Sequence, residues 1–564
     1  MKHLSGLDNL FLTMDHGNQL MQVAALGLYD PSTAPGGELR FKTVLSFFEN
    51  RMRQTRVFRR RLLDAPWGLD RPHWVDESDV DIEYHVRHIA LPQPGDWRQL
   101  MIQVARLHSR QLDKSKPLWE AYIIEGLDNV PGIAPGSFAL YIKFHHAAVD
   151  GGEGVEILRA IHSLSAAVDS GTAEDDAEPV IIADRRPTTA EFCARAVSNR
   201  ARQLLGGSLL AVDLGKRAAR AGLGLVSSGK LLAAGRRLVS GEVGIAELAA
   251  GLVKVQSGDL HLAPHTRFDG RISAHRVVDA VGYALADCAQ IRERVAGVTI
   301  NDIFLAAAGG ALRRYLDLKG ELPASSLNAM MPLSTRDDQT VGDAGNQLGM
   351  TVIPLGSDIA DPLERLHAVH RAASRGKSLA TALGKEFPDR LLEALPAMVV
   401  EQVARRALVP MVNAVVSNVR GPDLPLYLAG ARLQMFAPLS IIIDGIGLNI
   451  TGLSYNGKLW VCFVSCRKML PDPGLYGQCL NESFAELVDA ATAGAKAAHP
   501  PVAGAPARRE TGARAPAGGK TAAKKAVPAP GAAGDAVPGK PVARKRAPRK
   551  PAPDTEVVAK PQAV

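Results

Sequence analysis

The part of this chain richest in chemical possibility reads Tyr141-Ile142-Lys143-Phe144-His145-His146-Ala147-Ala148-Val149-Asp150-Gly151-Gly152. Taken as a strand, its side chains alternate between faces. Tyr141, Lys143 and His145 share one face, and Ile142, Phe144 and His146 share the other. Neighbouring histidines that point apart do not easily bind one ion. The chain also lacks a His-Glu-x-x-His pattern, so no metal site is expected. His146 closes the strand on a face made apolar by Ile142 and Phe144. Desolvation there favours the neutral imidazole, the form a general base needs. Asp150 follows after a short turn, placed to brace that turn or to meet an arginine. Gly151 and Gly152 let the backbone come close. The alternative is a core histidine followed by an ordinary turn; the combination of residues favours the base.

These residues need a scaffold, and the flanking pattern supplies one. Leu100 to Arg110 has helical periodicity, while Ala121 to Glu125 and Ser137 to His146 read as strands around Pro-Gly turns. Thr189 to Leu260 is rich in Ala, Leu, Gly and Arg and mostly helical in pattern. Ile300 to Leu316 is a strong helix. Strand-like runs follow at Leu327 to Leu333, Met350 to Leu355, Ala414 to Val419, Pro438 to Ile443 and Leu459 to Val464, before a closing helix from Ser483 to Ala495. Two α/β regions joined by a helical connector are predicted.

Composition sets the outer limits. The chain has 564 residues, 46% hydrophobic and 22% charged, enough for two or three domains with a sizeable core. The formal charge of +8 is unevenly spread. Residues 501–564 carry 13 Lys and Arg against 4 Asp and Glu, so the rest of the chain is close to neutral. A nucleic-acid-binding body is thereby disfavoured, and only the tail keeps that option. The tail has no Ile, Leu, Met, Phe, Trp, Tyr or Cys and 11 of the 36 prolines, so it is predicted to be disordered. Five cysteines make no disulfide framework; Cys462 and Cys466 read as reduced core thiols. No signal-like apolar run opens the chain and no stretch suits a membrane span, so a cytoplasmic protein is expected. The connector carries nine Lys and Arg against two acids between Thr189 and Ser240, spacing that suits either a membrane-interface helix or a solvated crossover.

The His145-His146-Ala147-Ala148-Val149-Asp150-Gly151 segment resembles the His-His-x-x-x-Asp-Gly signature of coenzyme-A-dependent acyltransferases of the chloramphenicol acetyltransferase-like fold. Peptide-synthetase condensation domains share it. Other segments are similar to the bacterial wax ester synthase/diacylglycerol acyltransferase family in particular. They are Leu4-Ser5-Gly6-Leu7-Asp8 with Phe11-Leu12, Phe58 to Leu62, His73-Trp74-Val75-Asp76, His85-Val86, Pro117-Leu118-Trp119-Glu120, Asn301-Asp302, Met331 to Arg336, Gly345-Asn346 and Ser417 to Pro422. The resemblance runs from about residue 3 to 495. Arg420, Asp269-Gly270 and the Cys462 to Met469 stretch depart from the family pattern.

The resemblance implies two acyltransferase lobes, at 1–180 and 266–498, joined by a helical crossover at 181–265, with the basic tail at 499–564. It implies acyl transfer from acyl-CoA to diacylglycerol or a long-chain alcohol, with no cofactor beyond that co-substrate. His146 would act as base, with His145 and Asp150 beside it. Asn301 and Ser417 are candidate donors to the developing oxyanion. Asp302 and Gly151 belong to the supporting structure. Asp150 is assigned to a buried arginine, with Arg336 expected, and Asn301 alternatively caps its helix. Pro117, Leu118 and Trp119 are candidate pocket residues, ordinary core being the alternative for Trp119. Two rival readings are an acyltransferase for a specialised cell-envelope lipid and a non-catalytic lipid-binding protein of the same fold. A membrane or lipid-droplet surface is an expected partner, and nucleic acid only through the tail.

Overall fold

The computed structural model describes residues 2–149, 151–167, 187–199, 201–202, 262–334, 348–383, 392–393 and 397–497. Asp150, Arg336, Gly345-Asn346, most of the connector and the tail lie outside the described residues.

The region up to residue 167 supplies seven strands: β1 (Lys2–His3), β2 (Gln22–Asp30), β3 (Arg60–Leu63), β4 (His73–Asp76), β5 (Val86–Ala90), β6 (Trp119–Glu125) and β7 (Phe138–His145). The region from 262 supplies β8 (Arg276–Ala284), β9 (Asn328–Ser334), β10 (Leu348–Pro354), β11 (Ala414–Arg420), β12 (Tyr427–Leu428), β13 (Ala431–Leu439), β14 (Leu448–Tyr455) and β15 (Lys458–Cys466). They form a small sheet, β1-β4-β3, and two six-stranded sheets, β10-β9-β11-β14-β15-β8 and β12-β13-β2-β7-β6-β5. The mixed α/β class is the one expected. The last sheet also shows something the two-lobe outline does not contain. β12 and β13 come from the 266–498 region, yet β13 pairs antiparallel with β2, so the two expected lobes share a sheet.

β7 is the strand that carries the histidines. It lies between β2 and β6, and all eight of its residues are buried. A central strand covered on both faces should read as a nearly continuous apolar run, and Phe138-Ala139-Leu140-Tyr141-Ile142 does. Phe138, Leu140, Ile142 and Phe144 enter one apolar cluster, with Phe11, Phe58 and Trp119. Ala139 and Tyr141 enter the other. Lys143 on that second side is wholly buried. Its Nζ donates to Arg110 O at 2.7 Å and Leu107 O at 3.4 Å, and pairs with Glu120 Oε2 at 3.3 Å. Leu107 lies in the last turn of the helix Trp97–His108, where a cation complements the exposed carbonyls.

Helix α1 (Gly6–Met14) follows β1, and its motif has a physical reading. Ser5 is the N-cap and Asp8 completes a capping box. Leu7 and Phe11 point into the core. Gly6 is required by proximity: a Cβ there would stand 2.4 Å from Leu392 O. Its N–H donates to Glu393 Oε1 at 2.5 Å, and Glu393 also pairs with Arg71 at 2.6 Å. Among the described residues no helix is long and apolar enough to cross a membrane.

Candidate active site

The strand ends at His145, and His146 begins a 3-10 turn, His146–Ala148, rather than continuing the alternation predicted for it. His146 still comes to the Phe144 side of the sheet. Its ring stacks on Phe11 with centroids 4.1 Å apart and planes 17° from parallel. Phe11 and Phe144 belong to the same apolar cluster. Burial among these groups lowers the His146 pKa to about 4, so the ring is neutral through the physiological range. The backbone holds the pair on both sides: His145 N–H donates to Leu118 O at 3.0 Å and His146 N–H to Met21 O at 2.7 Å.

His145 faces elsewhere. Its Nδ1 accepts the Ala147 N–H at 3.1 Å, capping the turn that carries His146. Its Nε2 looks toward Asp15 Oδ2 at 3.6 Å. Asp15, the C-cap of α1, is a buried carboxylate and the residue that sequence reasoning missed. Its Oδ1 accepts the Met21 N–H at 3.1 Å; its Oδ2 takes Lys114 Nζ at 2.8 Å and Gln111 Nε2 at 3.3 Å. Burial alone would raise its pKa. The nearby His145 ring and the Lys114 ammonium, with the Met21 N–H, outweigh that and hold the carboxyl well below the usual carboxylate range.

The other predicted residues have separate places. Asn301 is not the helix cap: Thr299 caps the helix Ile300–Leu318, with Asp302 completing the capping box. The Asn301 amide lies 3.3 Å from Met331 Sδ on β9. Asp302 is buried and also meets His370 Nδ1 at 2.9 Å, a supporting arrangement. Ser417 on β11 lies opposite Thr451 on β14. Pro117, Leu118 and Trp119 are all buried, Trp119 completely, with its indole N–H donated to Phe58 O at 2.9 Å and its ring stacked on His85. Leu118 and Trp119 enter the same apolar cluster as Phe144, and the Leu118 carbonyl anchors the histidine strand. Gly151 starts the helix Gly151–Ile161 just beyond the turn. Arg60 donates to the Ala148 carbonyl and lies over the Trp74 ring at 4.9 Å.

Among the described residues, one other cluster has metal-ligand chemistry. His3, Asp70 and His73 bring potential donor atoms within 4.8 Å of one another at the β1–β4 pair. Asp70 is already engaged by His3 at 3.0 Å and by Asn199 at 2.7 Å, so the group ties the first strand and the start of the connector to β4. Cys462 and Cys466 are free, buried thiols, as expected.

Comparison with known proteins decides the family. The model of the wax ester synthase/diacylglycerol acyltransferase catalytic domain matches residues 4–304, and that of the WS/DGAT C-terminal domain matches 344–488. The chain belongs to the wax ester synthase/diacylglycerol acyltransferase family. Two Mycobacterium tuberculosis H37Rv relatives, provisionally named diacylglycerol O-acyltransferases, are 31% identical over 86% of this chain and 99% of theirs, and 32% identical over 82% and 94%. The solved wax ester synthase/diacylglycerol acyltransferase of Marinobacter aquaeolei VT8 matches 87% of this chain and all of its own at 25% identity, with a TM-score of 0.59. Within this acyltransferase family, the segment matched by the catalytic-domain model contains both histidines, Asp15 and α1.

Proposed function

We propose that this acyltransferase moves a long-chain acyl group from acyl-CoA to the hydroxyl of diacylglycerol, of a long-chain alcohol, or of both. The observation that carries the reading is His146: a neutral imidazole at the end of a buried strand, stacked on Phe11 and held by the Met21 carbonyl. His146 takes the acceptor O–H proton as that oxygen attacks the thioester carbonyl. The tetrahedral intermediate then expels the coenzyme A thiolate, which receives the proton from His146. A thiolate leaves easily because thiols have a pKa of about 8.5. Asn301 and Ser417 remain the proposed donors to the oxyanion. Asp150 is proposed to brace the turn through an arginine. Arg60, anchored two residues upstream at the Ala148 carbonyl, joins Arg336 as a candidate. Contact with an anionic lipid surface is proposed to run through the basic tail.

The test is coenzyme A release with hexadecanol, with dioleoylglycerol and with no acceptor. Acceptor-dependent release supports transfer and its ratio ranks the acceptors. Transfer to neither, with retained lipid binding, would favour the specialised-acceptor or non-catalytic readings.

A further inference from the structure

The Asp15 carboxylate is linked to both halves of the histidine pair by different routes: it faces His145 directly and reaches His146 through Met21. We infer that Asp15 is a positioning residue: it fixes the tautomer of His145, and His145 in turn holds the turn that presents His146. The inference rests on His146 being the base, and its experiment separates the two.

His145 Nδ1 accepts a hydrogen bond from Ala147 N–H. An imidazole nitrogen accepts only when it carries no proton, so the neutral ring has its proton on Nε2. Nε2 is the atom that faces Asp15 Oδ2 at 3.6 Å, and a carboxylate can only accept. The ionised Asp15 therefore favours the tautomer that caps the turn. The opposite tautomer, or a doubly protonated ring, would set an Nδ1–H against the Ala147 N–H, two donors face to face, and the turn would open.

The second route is through the main chain. Asp15 Oδ1 accepts Met21 N–H, and the Met21 carbonyl accepts His146 N–H. One carboxylate thus lies against the Nε2 edge of His145 and, through the two main-chain groups of Met21, holds the backbone of His146. α1, which ends at Asp15, also brings Phe11 onto the His146 ring. A surface ion pair with Lys114 would require none of this. The Lys114 side chain is 40% exposed, while that of Asp15 is 2% exposed, and its Oδ1 is committed to the Met21 N–H.

The experiment uses the full chain with Asp15→Ala, Asp15→Asn and His146→Ala, each checked by thermal melting. The inference expects Asp15→Ala to lower kcat by up to about a hundredfold, the cost of a slight misplacement of a reacting group, with KM for acyl-CoA within about twofold. Asp15→Asn keeps an acceptor for Met21 N–H and should recover part of that loss. In protein labelled with ¹⁵N-histidine, with His145 assigned by His145→Gln, the wild type should show the Nε2–H tautomer and Asp15→Ala a mixture. Wild-type kcat in Asp15→Ala overturns the inference, and so does an unchanged His145 tautomer. Should the alanine variant fail to fold, the near-isosteric asparagine variant carries both readouts: an unmoved tautomer with unmoved kcat overturns the inference. Full activity in His146→Ala would instead overturn the base assignment, while the tautomer measurement still judges Asp15.

Discussion

Replacing Phe11 by alanine removes the apolar cover from one face of His146. In the wild type the rings lie 4.1 Å apart, and burial lowers the imidazole pKa from 6.5 to about 4. That difference corresponds to about 3 kcal/mol in favour of the neutral ring. Because the folded-state value is depressed, the matching stability is present above pH 6.5 and is lost as pH falls from 6.5 toward 4. For catalysis, the acid limb of kcat/KM should fall near pH 4 in the wild type. Water reaching the ring in Phe11→Ala moves the limb upward, with 6.5 as its ceiling. At pH 5 a ring of pKa about 4 is ~90% neutral and an unshifted one only ~3%, so the variant can lose up to about thirtyfold of its plateau activity there. Phe11→Leu, which keeps apolar bulk, should lie between. Free coenzyme A is quantified directly from about pH 3.5 to 8.5, each variant being normalised to its own plateau and to the fraction folded at each pH, so that the limb is read apart from any acid unfolding. A wild-type limb at 6.5, or the same limb in all three proteins, would refute the reasoning.

Other expectations follow from the geometry and the sequence. Gly6→Ala drives a Cβ to 2.4 Å from Leu392 O, and such overpacking should destabilise by about 1–3 kcal/mol in urea melts. Asp150→Asn should lower stability together with activity, by about 3–5 kcal/mol for a buried pair left with an unmatched arginine; wild-type melting with no activity would instead give Asp150 a direct chemical role. Deleting 501–564 should leave turnover on detergent-dispersed substrate nearly unchanged. It should also weaken binding to anionic vesicles, by a margin that shrinks as salt rises; equal vesicle binding at low salt would exclude tail anchoring.

The histidine motif was legible because its signal is local: an apolar strand, two histidines and a glycine pair in twelve residues. β7, β9, β11, β15 and the helix from Ile300 all occur close to where periodicity put them. Asp15 was not legible. An Asp after an apolar helix looks like an ordinary cap, and its partners Gln111, Lys114 and His145 lie 96 to 130 residues away in the chain. A strand was expected at Pro438 to Ile443, whereas β13 is Ala431–Leu439. Its better signal was alternation, with Leu433 and Met435 buried and Arg432 exposed. The closing helix was drawn too short: it starts at Pro473, and Tyr476, Cys479 and Leu480 bury its first turns. Asn301 was weighed as a cap because Asn is a good one; Thr299, two residues earlier, takes the position with Asp302 as its capping-box partner.

The pairing of β2 with β13 has a consequence for synthesis of the chain. Gly27 pairs with Phe436, and Leu26 with Ala437, so the first two partners lie 409 residues apart in the chain. At about 5–20 residues per second, the ribosome needs roughly 20–80 seconds between making one strand and the other. Through that interval β2 can pair with β7 on one side while its other edge stays open, an invitation to intermolecular pairing. A nascent chain stopped before residue 431 should therefore be captured by holdase chaperones or aggregate. One released after the β13 residues have emerged should close the sheet and become soluble. Closure of the sheet that carries His145 is thus a late event, timed by a strand made long after the histidine motif.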